Sequence, residues 1–255
     1  MKAVILAGGF GTRLSEETDV RPKPMVEIGG KPIIWHIMKI YAHYGVREFV
    51  ICLGYKGYMF KEYFANYYRH TSDITVDTNT GEVEIHRTSD DAWRVTLVET
   101  GLDTMTGGRI KKVRGYLGDE DFFLSYGDGV ASIDICELLE YHRRSGRLAT
   151  VTAVVPPGRF GALEVTDGIV RRFSEKPRGD GAFINGGFFV LSPKVIDYIG
   201  GDDTVFEREP MERLTNDRQL AAYHHAGFWQ AMDTLRDRRQ LEAMWASGAA
   251  EWKVW

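Results

Sequence analysis

The sequence predicts an α/β fold, with a mostly parallel central sheet flanked by helices and β-hairpins added to it. Three observations predict it. Short apolar or β-branched runs alternate along the chain with segments of helical periodicity, the pattern of strand–helix–strand units. Two of the apolar runs, residues 3–7 and 122–126, end abruptly in glycine loops, Gly8-Gly9 and Gly127-Asp128-Gly129. Two other stretches, 74–98 and 162–174, carry β-forming runs separated by turns, as hairpins do.

Each element has its own warrant. Residues 3–7 form a buried first strand. From Pro32 to Tyr44 the residues Ile33, Ile34, Ile37, Met38, Tyr41 and Tyr44 recur at helical spacing, and Gly45 stops the helix. Val46–Leu53 is a strand and Tyr58–Tyr68 an amphipathic helix rich in aromatics. Phe122–Tyr126 is the next strand. Ile133–Arg144 is a helix stopped near Gly146, and Ala149–Val155 a strand stopped by Pro156-Pro157. Asn79-Thr80-Gly81 and Asp167-Gly168 are the hairpin turns, and 234–246 reads as a helix. No linker, low-complexity run or internal repeat interrupts the chain. It is read as one domain, 1–255, in which a half of about 1–130 and a half of about 131–255 share one sheet.

The 255 residues are 44% hydrophobic and 27% charged, an ordinary globular composition. A net charge of −4 gives no electrostatic reason to expect nucleic acid or an anionic membrane as partner. An anionic substrate must therefore meet local positive charge. Cys52 and Cys136 lie in apolar runs without CxxC spacing and are expected to be buried small hydrophobes in a reducing compartment. The N-terminal apolar stretch is too short for a membrane helix and shows no cleavage signature, so a cytoplasmic location is the default. The histidines, His224-His225 included, show no ligand spacing and are expected to be structural or solvated. The aromatics of 58–68 are expected in the core or an interface, with base stacking as the alternative.

In parallel sheets ligands bind beyond the carboxyl ends of the strands, and both glycine loops lie there. Gly8-Gly9-Phe10-Gly11-Thr12-Arg13-Leu14 offers backbone N–H groups to an anion, together with a hydroxyl and a cation. A helical turn after it would add a favourable dipole. It lacks the Gly-Lys-Ser/Thr of a P-loop and has Leu14 where a dinucleotide fingerprint needs a third glycine. A tight turn with a solvated arginine is the alternative. Lys23, between Pro22 and Pro24, is either a positioned point charge or an exposed loop lysine.

Ala7-Gly8-Gly9-Phe10-Gly11-Thr12-Arg13-Leu14, followed by Pro22-Lys23-Pro24-Met25 and Gly30-Lys31-Pro32, resembles the signature of sugar-1-phosphate nucleotidylyltransferases. Four further segments resemble that family in order: Tyr126-Gly127-Asp128-Gly129, Phe173-Ser174-Glu175-Lys176-Pro177, Ile184-Asn185-Gly186-Gly187-Phe188 and Trp229-Gln230-Ala231-Met232-Asp233-Thr234. The resemblance covers nearly the whole chain and implies a Rossmann-like nucleotidyltransferase core. It implies that Leu6, Gly8, Gly9, Gly11, Thr12, Arg13, Lys23, Thr100, Arg109 and Asp128 meet the nucleotide, with Arg13 and Lys23 catalytic. It implies that Glu175, Lys176 and Asn185 meet the sugar phosphate, and that Asp128 and Asp233 bind Mg2+. Taken alone, Asp128 could be a turn residue, Asp233 a helix N-cap and Glu175 a solvated glutamate.

Within the family, Pro22–Gly30, Met105–Arg109, Pro157–Leu163 and Gly227–Gln230 resemble the branch that uses CTP and glucose 1-phosphate. Ala231 stands where that branch is expected to have proline, which implies a less rigid loop at Asp233. Arg109 is the candidate reader of cytosine, because a guanidinium is a pure donor; a solvated helix arginine is its alternative. The resemblance also implies homo-oligomeric assembly. The other readings are a relative using another nucleotide or sugar phosphate, a non-catalytic regulatory module, and a Rossmann oxidoreductase.

Overall fold

The computed structural model describes residues 1–87, 91–156, 162–166, 169–174 and 183–255; of these, the side chains of Arg13, Ser15, Glu16, Arg87, 162–166 and 172–174 are not described. Seven strands form the central sheet: β1 (Ala3–Leu6), β2 (Glu48–Leu53), β3 (Arg94–Glu99), β4 (Phe122–Tyr126), β5 (Ala149–Val154), β6 (Ile184–Leu191) and β7 (Leu220–His225). Their order is β7-β5-β6-β4-β1-β2-β3. β1 pairs in parallel with β2 and β4, β2 with β3, and β5 with β7. β6 runs antiparallel to both β4 and β5.

The strands are apolar at successive positions because both faces of the sheet are covered. The pleat sends alternate side chains to opposite faces. Ile5, Phe49, Ile51, Phe123, Phe188 and Val190 enter one core, while Val4, Val50, Cys52, Leu124, Phe189 and Leu191 enter the other. The helices are α1 (Ile33–His43), α2 (Gly57–Ala65), α3 (Thr106–Lys112), α4 (Ile135–Ser145), α5 (Glu209–Asn216) and α6 (Leu235–Ala246). Residues of α1, α4, α6 and Trp252 close the first core, and residues of α3 and α5 the second. Asp134 caps α4, and Gly146 ends it in the left-handed conformation.

Several expectations need correcting. Only part of 74–98 is a hairpin: Asp73–Val76 pairs with Val83–Arg87. Arg94–Glu99 is instead the parallel edge strand β3, because Val95 and Leu97 pack on the first core and Val98 on the second. The helix expected over 58–68 divides at Asn66, whose side-chain amide donates to the Glu62 carbonyl at 3.0 Å. Cys136 is exposed on α4, whereas Cys52 is buried as expected and burial pushes its thiol up to about 12. Ala162–Thr166 does pair with Ile169–Ser174; the expected tip, Asp167-Gly168, lies outside the described residues. Among the described residues no helix is long and apolar enough to cross a membrane.

The first core encloses a histidine that the sequence did not single out. His36 is fully buried on α1 among Trp35, Trp245, Trp252 and Trp255, with ring centroids 4.8 to 6.2 Å away. The Trp252 indole N–H donates to His36 Nδ1 at 3.3 Å, so Nε2 carries the proton and donates to the Ile28 carbonyl at 2.8 Å. Burial lowers the imidazole from 6.5 to about 4, and the Lys31 charge adds to the lowering. A depressed folded value means that the contribution to stability is complete above the unfolded value. It is lost as the pH falls from 6.5 through about 4. Urea unfolding at pH 7 and pH 4.5 is expected to show wild type losing about 2 kcal/mol more than His36→Gln. Equal losses would remove His36 from the acid response.

Candidate active site

The chain leaves β1 for β2 and β3, then returns to place β4 on the other side of β1. The carboxyl ends of β1 and β4 are therefore a switch point where a crevice opens. A cavity of about 620 Å3 lies there. Leu6, Gly8, Gly9, Gly11, Thr12, Lys23, Arg109 and Asp128 line it, together with Thr106, Tyr126 and Glu207. The glycine loop turns at Gly11, with φ of +66°. Only the turn Thr12–Leu14 and the single helical turn Ser15–Thr18 follow, so no long helix dipole points at the loop. Arg13 lies in that turn; its side chain is outside the described part.

Arg109, on α3, is buried in the cavity wall. Its Nη1 donates to the Leu53 carbonyl at 2.9 Å and to Thr100 Oγ1 at 2.6 Å. Its Nη2 donates to the carbonyls of Gly8 at 3.1 Å and Leu102 at 3.2 Å. The guanidinium thus ties together the chain ends that follow β1, β2 and β3. A Cβ on Gly8 would fall 2.0 Å from Nη1, so this contact requires glycine. The terminal N–H groups of Arg109 donate to protein oxygens and the side chain is buried, so Arg109 is not a solvated arginine. Thr100 is fully buried behind it, donates to the Leu53 carbonyl at 2.6 Å and accepts from Arg109, so it supports the guanidinium.

Arg109→Ala is therefore expected to leave several buried acceptors unpaired and to lower stability by about 2–4 kcal/mol. Its surviving activity is expected to fall in equal proportion with CTP and UTP. A selective loss with CTP, read from kcat/KM for each nucleotide, would instead assign Arg109 to reading the base.

Lys23 lies in the turn Lys23–Met25, with extended Pro22 before it and Pro24 after it. It is buried, so it is not an exposed loop lysine. Its Nζ donates to Asp128 Oδ2 at 2.6 Å and to Asp233 Oδ1 at 2.7 Å. A small ribbon joins those carboxylates. Gly129–Ala131 pairs antiparallel with Trp229–Ala231, and the Met232 N–H donates to the Asp128 carbonyl at 2.8 Å. Asp233 is not the cap of α6. Thr234 is, in a capping box with Asp237, whose Oδ2 also accepts from the Asp233 N–H at 3.1 Å. That network holds the Asp233 loop although Ala231 is not a proline.

A second cavity, of about 240 Å3, shares Tyr126 and Asp128 with the first and adds Asn185, Gly186, Trp229 and Asp233. Glu175 and Lys176 lie outside the described residues. Tyr126 and Glu207 are site residues that the sequence reading missed. Burial and the neighbouring Glu207 push the Tyr126 phenol above its ordinary value, so it stays a neutral donor. Tyr126 had a signal, a polar-tipped aromatic at the carboxyl end of a buried strand; Glu207 had none. The aromatics of α2 do not line either cavity; Phe60 is in the first core, with Tyr63 and Phe64 packed against it.

Two cavities thus meet at a cation clasped by two carboxylates. The nucleotidyl transferase family profile matches residues 2–238. The chain belongs to that family. This nucleotidyl transferase is 58% identical, over the full length of both chains, to the Salmonella typhimurium protein named glucose-1-phosphate cytidylyltransferase. It is 52% identical, again over both full lengths, to a Bacillus subtilis protein named probable glucose-1-phosphate cytidylyltransferase. The crystal structure of HddC from Yersinia pseudotuberculosis shares the fold, with a TM-score of 0.68 and 24% identity over 96% of this chain and 99% of that one. A UDP-glucose pyrophosphorylase complexed with UDP-glucose does so with a TM-score of 0.66 and 16% identity, over 97% and 98%.

Proposed function

We propose that this nucleotidyl transferase transfers the nucleoside monophosphate of CTP to glucose 1-phosphate, giving CDP-glucose and pyrophosphate. The observation that carries the reaction class is the meeting of two cavities at Lys23, Asp128 and Asp233. The choice of CTP and glucose 1-phosphate is supported by the full-length relatives of that name. In this reading the large cavity takes the nucleotide and the small one the sugar phosphate. The chain acts as one domain, 1–255, with its first half toward the nucleotide and its second toward the sugar. A cytoplasmic, homo-oligomeric enzyme without nucleic-acid partners completes the proposal.

An oxygen of the sugar phosphate attacks the α-phosphorus. The new P–O bond forms as the bond from the α-phosphorus to the bridging oxygen breaks, and the electron pair leaves with pyrophosphate. The attacking phosphate is already ionised near neutral pH, so no side chain has to remove a proton. Positioning and charge neutralisation remain for the protein to supply. The glycine loop offers N–H groups to the triphosphate, with Thr12 and Arg13 beside them. Lys23 places a buried positive charge between the two cavities, and Lys176 holds the sugar phosphate with Glu175 and Asn185 at the sugar.

The carboxylates fit a divalent ion. Both already converge on one cation, and a hard ion needs only one or two carboxylates beside phosphate oxygens and water. Asp128 and Asp233 would hold Mg2+, which when bound supplies charge neutralisation at the reacting phosphate. Product analysis tests the proposal: CDP-glucose and pyrophosphate are expected in equal amounts. Binding without pyrophosphate release would instead support a regulatory module.

A further inference from the structure

We propose that Glu207 and Tyr126 are positioning residues that fix how Asn185 meets the sugar, through one directed chain of hydrogen bonds. The inference rests on the reading that the small cavity takes the sugar. Asn185 Nδ2 donates to the Tyr126 hydroxyl at 2.9 Å, and that hydroxyl donates to Glu207 Oε1 at 2.6 Å. Thr106 Oγ1 donates to Glu207 Oε2 at 2.6 Å and accepts from the Phe206 backbone N–H at 2.9 Å. Asn185 Oδ1 accepts from the Gly187 N–H at 2.8 Å.

Every direction in this chain is forced. A backbone N–H only donates, so the amide oxygen of Asn185 must face Gly187 and Thr106 must pass its proton onward. An ionised carboxylate only accepts, so Thr106 and Tyr126 both donate to Glu207. The phenol oxygen is then left to accept from Asn185 Nδ2. Donor and acceptor of the Asn185 amide cannot exchange places without setting its N–H groups against the Gly187 N–H and losing the bond to Tyr126.

The chain also crosses between the cavities. Thr106 and Glu207 line the large one, Asn185 lines the small one, and Tyr126 belongs to both walls. The phenol ring is confined. Gly187 has φ of +78°, and a Cβ there would fall 2.7 Å from the ring. Phe189 meets the Tyr126 ring edge-on, with centroids 5.8 Å apart. A residue on the nucleotide side thereby sets the pattern that a hexose hydroxyl meets on the sugar side.

Two small substitutions break the chain at different links. In Glu207→Gln one of the two positions becomes a donor. If that donor faces Tyr126, the phenol must turn its proton toward Asn185. The amide can answer only by setting its N–H groups against the Gly187 N–H. Tyr126→Phe removes the phenol oxygen and leaves Asn185 anchored by Gly187 alone.

The test is calorimetric titration of the full chain as wild type, Glu207→Gln, Tyr126→Phe and the double variant. Each is titrated with a nucleoside diphosphate and with its glucose ester, for cytidine, uridine and thymidine. The quantity read is the affinity ratio of ester to diphosphate, on the pair that wild type prefers. Dividing by the diphosphate cancels changes in nucleotide binding or in the folded fraction. The ratio is expected to fall about tenfold in each single variant and no further in the double, because both act through one chain. Should Glu207→Gln fail to fold, Tyr126→Phe, a one-atom deletion, decides. Ratios within about twofold of wild type in the variants that fold, or a double fall equal to the product of the single ones, overturn the proposal. A wild-type preference for uridine or thymidine overturns the choice of CTP, while the chain is still judged on the preferred pair.

Discussion

Asp233→Asn is expected to lower turnover a hundredfold or more at saturating Mg2+ and substrates, and Asp128→Asn to do the same. Asparagine keeps the shape of the side chain and removes its charge. The backbone of Asp233 stays anchored, because its N–H donates to Asp237 and Thr234 caps α6 whatever stands at 233. The loss is therefore one of charge at the point where the two cavities meet. A hundredfold corresponds to about 2.7 kcal/mol of transition-state stabilisation, modest for a carboxylate–metal contact. Steady-state turnover across a divalent-ion titration is the check. Near-wild-type turnover of Asp233→Asn in saturating Mg2+ would contradict the role of the pair.

Lys23→Ala is expected to have an effect of similar size on turnover and an unusual one on stability. Its ammonium is a cation at the junction of the cavities, so removing it should lower kcat by a hundredfold or more with smaller changes in both Michaelis constants. Its removal also leaves Asp128 and Asp233 without the cation they share, at distances of 2.6 and 2.7 Å in the intact protein. Breaking a buried pair by deleting one partner costs about 3 kcal/mol. A divalent ion can replace the missing charge, so Mg2+ should raise the melting temperature of Lys23→Ala more than that of wild type. Equal shifts in the two proteins would show that the carboxylates do not share one cation position.

How much of this was legible depended on whether the signal was local. β1, β4 and the helix Ile33–His43 followed from apolar runs, periodicity and glycine stops, and the structure has them within a residue or so of the expected bounds. The edge strand β3 was misassigned, because a strand beside a hairpin has the same local composition and only its pairing with β2 distinguishes it. In the site, Lys23 and Asp128 were visible because prolines and glycines fix the chain around them. Asp233 could be suspected only by resemblance. Its approach to Asp128 depends on a ribbon between residues about a hundred positions apart in sequence. The two glycines before Arg109 signal close approach, and the structure shows that they pack on the backbone of Asp202 and Thr204, while the Arg109 guanidinium reaches the Gly8 carbonyl. Glu207 and His36 carry no local signal, since only the fold brings them to Tyr126 and Trp252.

Transfer from CTP to glucose 1-phosphate is tested by pyrophosphate release over a grid of CTP, UTP, dTTP, ATP and GTP against several sugar 1-phosphates. CTP with glucose 1-phosphate is expected to give the highest kcat/KM, omitting either substrate to abolish release, and chelating divalent ions to do the same. A higher kcat/KM for another nucleotide or sugar phosphate, or pyrophosphate release from CTP alone, would contradict that assignment.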